Sequence, residues 1–358
     1  MMPTPFSASF NPGRILFGPG TSARAGEEIA GLGCARALVL STPFQKAVAE
    51  ALASRLGTAA VAVFAEATMH TPVEVTLRAV DAFKAAGADC VVSLGGGSTI
   101  GLGKAIARRT GCAQLVIATT YAGSEVTPIL GETENGLKTT VRGPEILPEV
   151  VIYDPDLTLG LPVGMSVTSG LNAVAHAVEG LYARDRNPIT SLQAVEGIRA
   201  LRDALPAIVA QPGNADARGA ALYGSWLCGT VLGTVGMALH HKLCHTLGGS
   251  FDLPHSETHA VLLPHTAAFN AAAAAEALQP AADLFGGSIG AGLWDFAKSL
   301  GAPLALRDLG LAEADLERAA DLAAQNPYWN PRPIDREGLL ALLRDAWAGN
   351  RPSFGEQQ

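Results

Sequence analysis

The chain has 358 residues, too many for one ordinary core and about right for two domains. Hydrophobic residues make up 48% and charged residues only 16%, which supplies a large core and excludes a disordered chain. The formal net charge of -8 repels phosphate backbones, so no nucleic-acid partner is expected.

In chain order, the first half alternates short β-rich runs with helical ones. Residues 37–40 (ALVL) read as a strand, 44–56 as a helix and 61–64 as a strand. Thr71 and Pro72 are expected to open a helix, as N-cap and first-turn proline, that closes near Gly87. Residues 89–94 (DCVVSL) read as a strand, 104–109 as helix, 115–118 as strand and 150–153 (VVIY) as the last convincing strand. Such alternation predicts a parallel sheet covered by helices. Beyond the proline-bounded segment 154–162 the pattern is helical, including the Ala-rich run 271–278, and 355–358 are expected to fray. The expected fold is therefore an α/β N-terminal domain with a parallel Rossmann-like sheet, residues 1–158, followed by an all-α C-terminal domain, residues 159–358. The uncharged stretch 224–239 is shorter than the ~20 residues of a membrane span and reads as a buried helix, so no membrane is expected. Met1 to Phe10 carry no basic-then-apolar signal, and the five cysteines form no C-x-x-C pair, which together point to a reducing, cytoplasmic setting.

Two loops carry nucleotide chemistry. Gly95, Gly96, Gly97 and Ser98 follow a strand and precede a helix, where glycines admit a pyrophosphate and helix-start N–H groups face its charge. A second post-strand loop contains Thr119, Thr120 and Ser124, whose hydroxyls can donate to phosphate or ribose. The first loop is not G-x-G-x-x-G, because Ile100 stands where the third glycine belongs. A lone GGGS is as often a plain turn, but two such loops at strand ends favour a ligand.

Seven of the eight histidines fall beyond residue 158. Asn172 and His176 are four apart, with Glu179 a turn further on; His241 and His245 are also four apart, and His255 follows in a proline-bounded loop. Helical i, i+4 pairs bring two side chains to one point. Any single histidine here is more readily a core or capping group; the set together points to a shared site.

The elements RILFGPG (14–20), GGGS (95–98), TTYAGSEVTP (119–128), DPDLTLGLP (154–162), SGLNAVAHAVE, HHKLCHTLGG and LPH, reaching residue 255, resemble the iron-containing alcohol dehydrogenase superfamily. GGGSTIGLGKAIA, the asparagine in GLNAVAHAVE, MALHHKLCHTLGGSFDLPH and NPYWNPRPI (326–334) resemble its maleylacetate reductase branch. The resemblance implies a dehydroquinate synthase-like fold, a homodimer, and NADH-dependent reduction of a small dicarboxylate, 2-maleylacetate, to 3-oxoadipate. It places the superfamily's metal ligands on Asn172, His176, His241 and His255. The first of these is an aspartate in metal-using members, and a neutral amide is a weaker ligand. No metal is therefore expected; were one held, His176, His241 and His255 would hold it. Thr42 replaces the aspartate that selects NADH in other members, so NADPH is expected to be tolerated. His245 is assigned to the nicotinamide end, His241 and Lys242 as acid and enolate stabiliser, and His176, Asn172 and His255 to substrate binding. Tyr328 and Arg332 are expected to reach the substrate, with aromatic packing an equal reading for Tyr328 and a solvated helix position for Lys242. Cys244 reads as packing. The competing readings are a metal-dependent alcohol dehydrogenase and a non-catalytic nucleotide-binding module.

Overall fold

The computed structural model describes Phe6, residues 13–134 and residues 137–353. The chain separates into two compact units that divide between Leu161 and Pro162, three residues beyond the expected border at 158. Pro162 stands at the N-cap of the helix that follows.

In the N-terminal unit, strands β1 (Arg14–Phe17), β2 (Ala37–Leu40), β3 (Ala60–Phe64), β4 (Cys90–Gly95), β5 (Ala113–Ala118) and β8 (Val150–Tyr153) form one parallel sheet in the order β1-β8-β5-β4-β2-β3. The strands alternate their side chains between two helix layers. Val39, Val92, Ile117 and Ile152 pack with Ile29 of α1 (Ala25–Gly31) and Leu52 of α2 (Lys46–Leu56). Leu38, Leu40 and Val91 face Val80 and Phe83 of α3 (Val73–Ala85) and Leu102 and Ile106 of α4 (Gly97–Thr110). A separate antiparallel hairpin, β6 (Ile129–Glu134) and β7 (Leu137–Arg142), lies apart from this sheet.

The C-terminal unit is helical: α5 (Val163–Tyr182), α6 (Pro188–Ala210), α7 (Ala215–Thr234), α8 (Leu239–Phe251), α9 (His255–Asn270), α10 (Ala275–Leu284), α11 (Ile289–Ser299), α12 (Leu316–Ala324) and α13 (Arg336–Ala348). From Ser166 to Tyr182 every residue of α5 is buried, as befits a helix surrounded by others. Helices α6 and α7 meet backbone to backbone: a Cβ on Gly197 would lie 3.2 Å from the Gly224 carbonyl, and one on Gly224 3.0 Å from that of Gly197.

Several expectations need correction. Thr71 is not an N-cap: it takes a left-handed φ of 46°, Pro72 holds the cap position and the helix begins at Val73. Residues 224–239 are not one helix; α7 ends at Thr234 and α8 begins at Leu239. The run 271–278 also splits, between the end of α9 and the start of α10. Strands β1, β6 and β7 were not anticipated. The expected fraying at 355–358 lies outside the described residues. Among the described residues no single helix is long and apolar enough to cross a membrane.

One buried cation organises the second post-strand loop. Lys104 of α4 is fully buried, and its ammonium donates to the carbonyls of Ser124 (2.6 Å), Thr127 (2.8 Å) and Ile129 (2.9 Å) and to the Thr127 hydroxyl (2.9 Å). Burial pushes its pKa down to about 7, against the opposing pull of the Glu125 carboxylate. Glu125 is itself buried and accepts from the Tyr153 hydroxyl at 2.8 Å. Removing the cation strands buried acceptors and a buried carboxylate. Lys104→Met should lower the unfolding free energy by about 3–5 kcal/mol, read as a reduced urea midpoint with unchanged m-value; an unshifted midpoint would refute this role.

Candidate active site

The nucleotide-loop residues gather at one edge of the N-terminal unit. Gly95 ends β4, Thr119 directly follows β5, and Thr42 lies two residues past β2; these are three neighbouring strands, met at their carboxyl ends. The chain reverses direction across the sheet between β2 and β4, which is where open α/β sheets bind ligands. Gly95 has a φ of 156° that side-chain-bearing residues rarely adopt, and a Cβ on Gly96 would meet Thr120 at 2.6 Å. Around Gly97 a Cβ would meet nothing within 4 Å, so the start of α4 is open to a ligand. The loops are clipped together by Thr119 N–H donating to the Gly95 carbonyl (3.1 Å) and Gln45 Nε2 donating to Thr119 Oγ1 (3.0 Å). Thr119 is buried, whereas Ser98, Thr120 and Ser124 are partly exposed. This arrangement fits a pyrophosphate: free helix-start N–H groups, no side chain in the way, and hydroxyls alongside.

In the C-terminal unit the structure brings histidines from α5, α8 and α9 together. His176 Nδ1 lies 2.9 Å from His241 Nε2, and His241 Nδ1 lies 2.6 Å from Glu179 Oε2. Glu179 also accepts the backbone N–H of Ala238 (2.9 Å) and His240 (2.7 Å). A carboxylate only accepts, so His241 donates from Nδ1 and receives at Nε2 the proton of His176 Nδ1. His245 Nδ1 lies 3.1 Å from the Tyr328 hydroxyl, and Lys242 Nζ lies 5.9 Å from that ring's centroid. Burial, reinforced by Glu179, raises the Tyr328 pKa, and burial lowers that of Lys242. The rings of His241 and His245 are 6.1 Å apart.

His259 is the hub of the cluster and was missed from sequence, as was His240. Its ring centroid lies 4.4 Å from His255, 4.8 Å from His240, 5.1 Å from His241 and 6.0 Å from His176. The Thr266 hydroxyl donates to the Leu262 carbonyl (3.0 Å) and so accepts from His240 Nδ1 (2.9 Å); His240 Nε2 then accepts from His259 Nδ1 (2.9 Å). His259 Nε2 is left as a buried acceptor with no partner. Burial holds both rings well below the usual histidine pKa, so they are neutral. The four-residue spacing of His255 and His259 was the available signal. Asn172, one helical turn before His176 on α5, is buried with Oδ1 unpartnered. Arg332 is not brought to the histidines: its guanidinium lies 4.0 Å from the Phe269 ring centroid and donates to the Phe269 carbonyl (3.3 Å).

The residues that the family resemblance assigned to a metal suit a divalent cation poorly. Position 172 supplies no charge, and the nitrogens of His176 and His241 that face each other are 2.9 Å apart, engaged with one another. The histidine-containing donor set within 4.8 Å among the described residues is instead His240, Cys244 and His259, two of which are hydrogen-bonded to each other.

Comparison with known proteins agrees with this layout. The model for iron-containing alcohol dehydrogenases matches residues 12–155, and that for the C-terminal part of the same family matches 166–347. The chain is 66% identical to a maleylacetate reductase of Rhizobium sp. (strain MTP-10005) over 97% of its own length and 99% of the relative's. It is 54% identical to one from Burkholderia cepacia, covering 95% and 97%. The crystal structure of maleylacetate reductase from Agrobacterium tumefaciens superposes with a TM-score of 0.94 at 67% identity, covering 98% of this chain and all of that one. The chain belongs to the iron-containing alcohol dehydrogenase family and, within it, groups with the maleylacetate reductases.

Proposed function

We propose that this enzyme reduces the carbon–carbon double bond of 2-maleylacetate to 3-oxoadipate at the expense of NADH, with no metal in the step. The observation that carries the reading is the Glu179–His241–His176 chain, a proton-holding array built where a metal-dependent relative would need cation ligands. Gly95 to Ser98, with Thr119 and Thr120, would hold a reduced nicotinamide dinucleotide, which would supply a hydride to the alkene carbon bearing the terminal carboxylate. The electron pair of the double bond then moves onto the ketone oxygen as an enolate, and the adjacent carbon takes a proton. Both nitrogens of His241 are engaged, so a proton handed to the substrate from this chain leaves through His176. Lys242, half-buried beside Tyr328, offers positive charge to the enolate. Asn172 Oδ1 and His255 border the same cluster and take part in seating the substrate. His245 with Tyr328 is assigned to the nicotinamide end. Arg332 is assigned to holding the Asn326–Ile334 segment on Phe269 rather than to the substrate.

A metal-dependent alcohol dehydrogenase would require a charged ligand set that Asn172 breaks. We further propose NADH as the preferred reductant with NADPH tolerated, a cytoplasmic homodimer, and neither nucleic acid nor membrane as partner. The five cysteines, all free, suit a reducing compartment.

Turnover of NADH with maleylacetate should be the same with and without a strong chelator; stoichiometric iron or zinc lost together with activity would overturn the metal-free scheme. His241→Ala and His245→Ala should each lower kcat by about 10²–10⁴-fold while the far-ultraviolet circular dichroism is retained; near wild-type turnover removes that residue from the scheme. Thr42→Asp should reduce kcat/KM for NADPH and leave that for NADH nearly unchanged, since a carboxylate there repels the 2′-phosphate. Equal effects on both would remove Thr42 from the ribose site.

A further inference from the structure

The end of α5 and the break between α7 and α8 border a cavity of about 350 Å³ lined by Arg184, Asp185, Gly236, Met237 and Trp329. Its lining residues lie within the C-terminal unit and are joined to the histidine cluster by three stretches of chain. Met237 precedes Ala238, whose N–H is held by Glu179. Trp329 follows Tyr328, the partner of His245. Arg184 comes five residues after Glu179. Leu239 N–H donates to Asn330 Oδ1 at 3.4 Å, which clips the second of these stretches to the first.

The charges in this cavity are unequal in what they are free to do. Asp185 turns both carboxylate oxygens to the Gly236 N–H, at 2.9 and 3.2 Å, and so fixes the turn. Arg184, its neighbour on that turn, makes no hydrogen bond or ion pair among the described residues. A guanidinium presents a planar fork that matches a carboxylate, and Arg184 is exposed and so accessible to one, with the half-buried Met237 and the partly exposed Trp329 beside it. The substrate proposed above carries a carboxylate at each end, with the reacting carbons between. One end and the ketone belong with the histidines; the other needs a cation of its own.

We propose that Arg184 binds the carboxylate of the substrate's acetate arm, the end remote from the carbon that takes the hydride, and that this contact makes the enzyme prefer dicarboxylates to monocarboxylate enones. The proposal rests on the reading of the site as a maleylacetate reductase. Its test measures NADH oxidation with maleylacetate and with 4-oxopent-2-enoate, which keeps the reacting enone and lacks the acetate carboxylate. In Arg184→Gln, kcat/KM for maleylacetate should fall about 10- to 100-fold, mostly through KM, while the value for 4-oxopent-2-enoate stays within about twofold of wild type. Arg184→Lys should recover part of the loss. Equal loss on both substrates, or no loss on maleylacetate, overturns the assignment while leaving the reductase reading intact. Failure of the wild-type enzyme to oxidise NADH with maleylacetate overturns the reading and the proposal together.

Discussion

A carboxylate buried without a cation must be met by hydrogen-bond donors, and the C-terminal unit is arranged around how Glu179 meets this demand. It draws two of its donors from the backbone at Ala238 and His240, which is possible only because the helical run is interrupted between Thr234 and Leu239. A third donor is His241, whose tautomer is thereby set, and with it the direction of the hydrogen bond from His176. The Tyr182 hydroxyl lies 3.5 Å from Glu179 and accepts from Asn270, which exchanges hydrogen bonds with Asn330. One buried charge thus orients the imidazoles on one side and anchors the loop bearing Tyr328 on the other.

The N-terminal unit solves a different problem, close approach of backbone at the strand ends, and solves it with absence of side chains. Gly95 and Gly96 admit Thr99 and Thr120 where a Cβ would collide, so the two strand-end loops pack against each other while the first turn of α4 stays open.

Much of this was legible in the sequence where burial imposes a period. The central strands read clearly because both their faces are covered and their residues are apolar throughout. The edge strand β1 is only four residues long and partly exposed, and the β6–β7 hairpin is polar and apart from the main sheet, so neither leaves an apolar pattern. The break after α7 was hidden because Val235 to Ala238 are as apolar as helix interior; the carboxylate that accepts the Ala238 N–H at the start of α8 lies 59 positions earlier in the chain. His176, His241, His245 and His255 stood out by spacing. The roles of His240, His259 and Glu179 were not readable, since each depends on which nitrogen or oxygen faces which neighbour. Arg332 illustrates the converse: its place in a family-like motif suggested the substrate, whereas its guanidinium lies on Phe269.

Lys104 has a further implication. By gathering four oxygens from three residues of one loop, its ammonium does for Ser124 to Ile129 what a coordinated ion does in other proteins, but as a covalent part of the chain. The conformational entropy of that loop is therefore surrendered during folding rather than at the arrival of a nucleotide. A ligand docking beside Ser124 to Ile129 would meet a segment already tied down, so its association would not be gated by ordering of that segment.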